Sequence, residues 1–173
     1  KERLYIYDTT LRDGQQTQGV TLSLDDKLRI SQLLADIGID YIEGGWPGAN
    51  PIDSEFFDRK KEFDKSKLVA FGMTKRFGSS VENDETLAQV VSAGTSVVCL
   101  VGKSHDFHVQ KALGISLDEN IELITSSIKY LKSLGKEVHF DAEHFFDGFA
   151  ANKRYAISIV KEAIAAGADW VVL

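Results

Sequence analysis

A predicted helix gives way to a strand at Asp36-Ile37-Gly38-Ile39-Asp40, and the pattern returns at Ala165-Ala166-Gly167-Ala168-Asp169. In both copies a glycine follows the last apolar residues of a helical stretch, which is typical of a helix C-terminus. A short apolar run then follows each copy, as expected of a buried strand. The chain is therefore built from repeated helix–turn–strand units.

Extended outward from these two copies, the pattern predicts six strands separated by five helices. The strands are predicted at Leu4–Asp8, Tyr41–Gly45, Lys67–Met73, Ser96–Val101, Glu137–Glu143 and Asp169–Leu173. The helices are predicted at Asp25–Ile37, Ile52–Phe63, Asp84–Ala93, Asp118–Leu134 and Asn152–Ala166. Behind a Ser23 cap, the first helix carries an apolar stripe at helical spacing, formed by Leu28, Ile30, Leu33, Leu34 and Ile37.

This alternation indicates an α/β fold with a parallel sheet, which closes either as a doubly wound open sheet or as a (β/α)8 TIM barrel. No Gly-x-Gly-x-x-Gly follows the first strand, which disfavours a doubly wound nucleotide-binding domain. We expect residues 1–173 to hold about the first five and a half βα units of a barrel. The chain would then be the N-terminal part of a single TIM-barrel catalytic domain, truncated in the sixth strand.

Composition narrows the classes of function and location. The net charge of −6 disfavours nucleic acid as a partner, because nonspecific binding needs a basic surface. No apolar run has the length of a membrane span, so no membrane association is expected. Cys99 is the only cysteine and lies in an apolar run, which predicts a core position, a cytoplasmic protein and no cysteine-rich zinc site.

Charged residues follow the predicted strands, and the C-terminal strand ends are where α/β enzymes place their chemistry. Arg12 and Asp13 come after the first strand, Glu43 ends the second, and Asp141 and Glu143 end the fifth. The third and fourth strands contribute Thr74, Lys75, Arg76, Lys103, Ser104 and His105. A carboxylate among apolar strands needs a partner, which predicts Arg12 paired with Glu43 or Glu143. The carboxylates also suit a divalent cation with oxygen ligands.

Three of these strand ends carry motifs of one enzyme family. The motifs are Asp8-Thr9-Thr10-Leu11-Arg12-Asp13-Gly14-Gln15-Gln16, Glu43-Gly44-Gly45-Trp46-Pro47-Gly48-Ala49-Asn50-Pro51 and Phe140-Asp141-Ala142-Glu143-His144-Phe145-Phe146-Asp147-Gly148. They resemble the metal-dependent Claisen-condensing TIM barrels, which include the isopropylmalate, homocitrate and citramalate synthases and the hydroxymethylglutaryl-CoA lyases. The citramalate synthase branch is the most similar, and the resemblance covers the whole chain.

This resemblance implies an acyltransferase of amino-acid biosynthesis that condenses acetyl-CoA with a 2-oxo acid, with pyruvate giving citramalate as the expected reaction. It implies a divalent metal, which the sequence does not narrow beyond Mg, Mn or Zn. The partners would be the two small-molecule substrates, and the full-length protein would be a homodimer.

The resemblance also implies a role for each matching residue. Asp13 matches a metal ligand, and Arg12 matches the arginine that stabilises the enolate oxygen and binds substrate. Glu43 matches the glutamate that orients that arginine. Glu143 matches the glutamate that activates the acetyl methyl group, and a partly apolar mouth would make it a better base. A permanently charged guanidinium can stabilise an enolate without transferring a proton.

Other residues have smaller expected roles. Gln16 and Asp141 are expected to contact substrate, while Met73 and Leu100 are expected to pack in the barrel. The Phe145–Gly148 stretch is expected to shape a loop. The family's remaining metal ligands form a His-x-His pair, which does not occur in this sequence and is expected beyond Leu173. His105 and His108 have the wrong spacing for that pair and are predicted to lie in a loop.

Three alternatives remain open at this stage. A lyase of the same family would use the same arginine and metal to cleave a 3-hydroxy-3-methyl acyl-CoA. A catalytically inactive half-barrel serving as an interaction module would fit the missing His-x-His pair. A doubly wound nucleotide binder would need a phosphate-binding glycine loop, which the sequence lacks.

Overall fold

A computed structural model describes residues 3–60 and 62–173. The strands are β1 (Tyr7–Asp8), β2 (Tyr41–Gly45), β3 (Lys67–Met73), β4 (Val97–Lys103), β5 (Glu137–Glu143) and β6 (Trp170–Val172). The helices are α1 (Leu24–Asp36), α2 (Pro51–Arg59), α3 (Glu85–Ser92), α4 (Asp106–His108), α5 (Leu117–Ser133), α6 (Phe145–Ala151) and α7 (Lys153–Ala165). A 3-10 turn lies at Gly14–Gln16, and α4 continues into a π-helical turn at Val109–Leu113.

The strands follow one another in the sheet in sequence order, β1-β2-β3-β4-β5-β6. β1 pairs with β2, β2 with β3, and β5 with β6, each in parallel. A doubly wound sheet reverses its strand order at a switch point, whereas a βα barrel adds each strand beside the previous one. The predicted α/β barrel topology is therefore confirmed, and the doubly wound alternative is wrong.

The predicted strand bounds are confirmed for β2, β3 and β5 and differ by one or two residues for β4 and β6. β1 is shorter than the predicted Leu4–Asp8, because pairing with β2 begins at Tyr7 and Leu4 is 90% exposed. α2 ends at Arg59, before the predicted end at Phe63. Within that predicted helix, Lys61 lies outside the described residues.

Contacts group the described residues into two compact units, of which the first holds the residues up to Phe71 together with Gln89–Val97. There Ser23 caps α1 as predicted, and its hydroxyl accepts a hydrogen bond from the Asp26 amide. The predicted apolar stripe of α1 is only partly covered, because Leu33 and Ile37 are exposed, whereas Lys27 and Ser31 are the buried residues of this helix. Burial of the Lys27 ammonium is possible because the Asp53 carboxylate, which is also buried, pairs with it.

The second unit holds Gly72–Ala88 and Val98–Leu173. Cys99 is buried there, as predicted. Two stretches predicted to be loops are helical instead. His105 caps α4 by accepting a hydrogen bond from the Phe107 amide. Phe145–Ala151 forms α6, and Gly148 lets this helix lie against the Ser104 carbonyl, which a Cβ at position 148 would approach to 2.5 Å.

Candidate active site

The first unit holds Arg12 in a fixed orientation just beyond β1. Its Nε donates to Oε2 of Glu43 at 2.7 Å, and its Nη1 donates to Oδ1 of Asp13 at 3.2 Å. Glu43 is 1% exposed, so its charge is stabilised by this guanidinium rather than by water. Of the two partners predicted for Arg12, the structure places Glu43 beside it.

Aromatic residues complete the surroundings of this pair. The Tyr7 hydroxyl donates to Oε1 of Glu43 at 2.8 Å, so both carboxylate oxygens accept hydrogen bonds. The guanidinium carbon of Arg12 lies 3.9 Å from the centroid of the Phe71 ring, whose edge contacts Trp46. An arginine stacked on a ring and hydrogen-bonded in its plane keeps one orientation. The Arg12 side chain is still 19% exposed and can reach a ligand.

The sequence patterns do not predict the roles of Tyr7 and Phe71. Tyr7 lies in β1, close to its C-terminal end. A buried tyrosine usually has a hydrogen-bond partner for its hydroxyl. That position was the available signal. Phe71 gave no such signal, because an aromatic side chain in a strand is most often core and nothing in the sequence links it to Arg12.

Asp13 offers a divalent metal one hard oxygen ligand. Its side chain is 67% exposed, with Arg12 as an ion-pair partner. Within residues 3–60 and 62–173, no group of three or more His, Cys, Asp or Glu side chains is arranged to hold a metal ion. Asp13 therefore offers one oxygen donor, and the described residues do not group three such donors around a single position.

The two neighbouring glutamines occupy different environments. Gln16, the predicted substrate contact, is exposed at the end of the 3-10 turn. Gln15 is turned inward, and its amide donates to Oδ1 of Asp53 at 3.4 Å. Of the two, Gln16 is open to a ligand and Gln15 is part of the protein's internal hydrogen bonding.

In the second unit, Glu143 forms an ion pair with Lys103 at the end of β4. The surroundings of Glu143 are therefore charged rather than partly apolar as expected, because the Lys103 ammonium lies against its carboxylate. The Glu143 side chain is 33% exposed. Asp141, the other predicted residue on β5, is partly exposed on the same side of the strand.

A polar network supports the end of β4. The Asn120 amide donates to the Lys103 carbonyl and to the Tyr155 hydroxyl, both at 2.8 Å. Burial raises the pKa of Tyr155 to about 12, so its hydroxyl stays neutral at physiological pH. This network joins α5 and α7 to the strand that carries Lys103.

Three histidines lie together near Glu143. The ring centroids of His105 and His108 are 4.8 Å apart, and those of His108 and His144 are 4.7 Å apart. The pKa of His108 is lowered from its usual value of 6.5, mainly because burial removes water from the ring. The positive charges of His144, His105 and Lys103 lower this pKa further, whereas the Glu143 carboxylate raises it. His144 has a positive φ of 56°. This backbone conformation is uncommon for a residue other than glycine. His144 directly follows Glu143 in the sequence.

The remaining residues at the ends of β3 and β4 differ in their exposure. Lys75 is mostly buried, and its ammonium lies 3.1 Å from the Glu122 carboxylate. The side chain of Arg76 is 69% exposed, consistent with a solvated cation. Leu100 is fully buried, as expected of barrel packing, and Met73 is partly buried.

Comparison with known proteins gives one consistent result. Residues 3–173 match the HMGL-like family model. The (R)-citramalate synthase of Aquifex aeolicus is 51% identical across 99% of this chain, and a 2-isopropylmalate synthase of Saccharolobus solfataricus is 31% identical across 98%. The chain spans about a third (33%) of the first relative and 42% of the second.

Solved structures agree on the fold. A hydroxymethylglutaryl-CoA lyase from Pseudomonas aeruginosa superposes with a TM-score of 0.76 over 98% of this chain and 56% of its own length. Its sequence identity is 17%, so this likeness shows the architecture alone.

Proposed function

Because the chain belongs to the HMGL-like family, we propose that it forms part of the TIM-barrel catalytic domain of an enzyme condensing acetyl-CoA with pyruvate to give citramalate. The choice of pyruvate is supported by 51% identity to a citramalate synthase, against 31% to a 2-isopropylmalate synthase. The observation that carries the proposal is the Arg12–Glu43 pair, which fixes a permanent cation beside the carboxylate of Asp13.

Arg12 would stabilise negative charge on the thioester oxygen as the acetyl methyl group loses a proton. Its guanidinium keeps its charge throughout, so it needs no proton transfer of its own. Glu43 and Phe71 already hold the group in one orientation, which lowers the reorganisation needed when charge develops. Its partial exposure leaves it accessible to the substrate.

Glu143 is proposed as the base, on the strength of the family resemblance. It would take a proton from the acetyl methyl carbon, which then forms a bond to the keto carbon of pyruvate. The resulting alkoxide takes up a proton, and water hydrolyses the thioester to release citramalate and the free thiol of coenzyme A. The Lys103 ammonium contacts the Glu143 carboxylate and would hold it in place at the end of β4.

A divalent metal would supply polarisation of the 2-oxo acid carbonyl. We propose Asp13 as one oxygen ligand, with Gln16 and Asp141 as contacts to the bound acid. Exposure of Asp13 and Gln16 supports these assignments, because both side chains are open to a ligand.

The test is release of free thiol from acetyl-CoA by the complete gene product, with pyruvate and manganese. We expect thiol release that stops with a chelator and with Glu143→Gln. Activity with a longer 2-oxo acid and not with pyruvate would overturn the substrate assignment. Cleavage of hydroxymethylglutaryl-CoA would assign the protein to the lyases, and inactivity in every assay would leave a noncatalytic module.

We also propose that the protein is a cytoplasmic homodimer, from the family resemblance and the single buried Cys99. In the described part of the chain, no helix is both long and apolar enough to cross a membrane. Sedimentation equilibrium of the complete gene product should give twice the mass of one chain, and a monomer mass would overturn the dimer.

A further inference from the structure

Lys27 is a fully buried lysine in the first unit. Its side chain is 0% exposed, and its ammonium contacts the Asp53 carboxylate of α2. The same ammonium donates to the Leu11 carbonyl at 2.9 Å. Leu11 is the residue directly before Arg12, so this buried charge contacts the backbone of the segment that presents Arg12 and Asp13.

Asp53 extends the same network to the segment after β2. Its Oδ2 accepts a hydrogen bond from the backbone N–H of Trp46 at 2.9 Å. Its Oδ1 accepts one from the side-chain Nε2 of Gln15 at 3.4 Å. Gly45 permits this close approach, since a Cβ there would lie 2.6 Å from the Asp53 carboxyl carbon. A single buried pair thus holds both segments that surround the Arg12 side chain.

Stability alone is a weak reason for such a pair. Taking two charges out of water is costly, and apolar side chains of similar volume often stabilise a protein as well or better. Burial lowers the pKa of Lys27, while Asp53 opposes that effect. What an apolar replacement could not supply is a donor for the Leu11 carbonyl and an acceptor for the Trp46 amide.

We infer that Lys27 and Asp53 are positioning residues that hold the Leu11–Gln15 segment against Trp46, so that Arg12 keeps its contact with Glu43. Neither side chain touches substrate, and both act through the backbone of their neighbours. The effect on catalysis rests on the proposed function, whereas the effect on the segment does not.

The experiment compares the complete gene product with a Lys27→Met/Asp53→Leu double variant, which removes both charges together. The readout is hydrogen exchange at the Arg12 and Gly14 amides, which both donate to the Thr9 carbonyl at 3.1 and 3.0 Å. The internal reference is the Asp169 backbone amide, which donates a hydrogen bond to the Val138 carbonyl at 2.8 Å. A Glu55→Gln/Arg59→Met variant removes an exposed pair from α2 and is the matched control.

We expect the double variant to fold and its Arg12 and Gly14 amides to exchange at least about 10-fold faster, with the reference unchanged. We expect kcat to fall by about 10²-fold with little change in KM, as for a misplaced catalytic group. Unchanged exchange at both amides would overturn the inference. If the double variant does not fold, Asp53→Asn decides by the same exchange criterion. If the unmodified protein does not condense the substrates, the proposed function fails and exchange still decides this inference.

Discussion

Arg12 donates through Nε to Oε2 of Glu43 at 2.7 Å, although 31 residues separate them in the sequence. Ion pairs between exposed side chains add little to stability. This pair differs because Glu43 is almost completely buried, so its carboxylate depends on Arg12 and Tyr7 for stabilisation. The relationship fixes the cation on which the proposed chemistry depends.

Replacement of Arg12 by lysine should therefore remove most of the activity, although the charge is kept. An ammonium cannot reproduce both the in-plane hydrogen bond to Glu43 and the stacking on Phe71. We expect kcat for thiol release to fall by about 10²- to 10³-fold. Arg29→Lys, an exposed substitution on α1, is the control and should leave kcat unchanged. Arg12→Lys activity above a tenth of the unmodified value would contradict the assignment.

Loss of the Tyr7 hydroxyl should reduce activity less than loss of the Glu43 charge. Tyr7→Phe removes one hydrogen bond from Glu43, worth about 1 kcal/mol, so kcat should fall about 5-fold. Glu43→Gln removes the charge that orients Arg12, and we expect a loss of at least about 10²-fold. Steady-state kinetics of both variants test this order. Equal losses would show that Glu43 contributes only a hydrogen-bond acceptor.

The histidine cluster should make the protein sensitive to acid. The lowered pKa of His108 means that, as the pH falls below 6.5, the unfolded chain takes up a proton before the folded chain does. The stability contributed by neutral His108 is thus complete above 6.5 and is lost as the pH falls through the folded-state pKa. The groups facing this ring are His105, His144, Lys103 and Glu143.

His108→Gln should reduce that acid sensitivity. Urea unfolding of the complete gene product at pH 7.5 and 5.5 measures it, and the difference between the two midpoints should be smaller in the variant. An identical difference in both proteins would show that protonation of His108 is not coupled to folding.

Loss of the Tyr155 hydroxyl should lower the free energy of unfolding, although Tyr155 is not one of the residues that hold Arg12. Tyr155→Phe leaves one buried N–H of Asn120 without its acceptor, at a cost of about 1–3 kcal/mol. Chemical denaturation measures the free energy of unfolding, with Tyr130→Phe on α5 as a half-buried control. A change no larger than that of the control would mean that water replaces the hydroxyl.

Much of this architecture follows from local sequence signals. The glycines after α1 and α7 mark the helix ends because Gly38 and Gly167 have φ values of +89° and +107°, which favour glycine. Strand bounds for β2, β3 and β5 follow from continuous apolar runs. The need of a buried strand-end carboxylate for a cation predicts an ion pair for Arg12, with either Glu43 or Glu143 as the partner, and the structure places Glu43 there.

What the sequence concealed depends on contacts between distant residues. Lys27 has the pattern of a solvated helix residue, and only the position of Asp53 makes its burial possible. Similarly, Glu143 is predicted to lie in a partly apolar mouth, and no local signal joins it to Lys103, 40 residues earlier. The packing of α6 against the Ser104 carbonyl, which requires a glycine at position 148, is also a tertiary contact.

The most direct measurement follows the methyl carbon of acetyl-CoA. The complete gene product would be incubated with methyl-13C acetyl-CoA, pyruvate and manganese, and the products identified by 13C NMR. We expect the label to appear in the methylene carbon of citramalate, and Arg12→Lys to form little of this product. Label that remains in acetyl-CoA, or reaches free acetate without a new carbon–carbon bond, would contradict it.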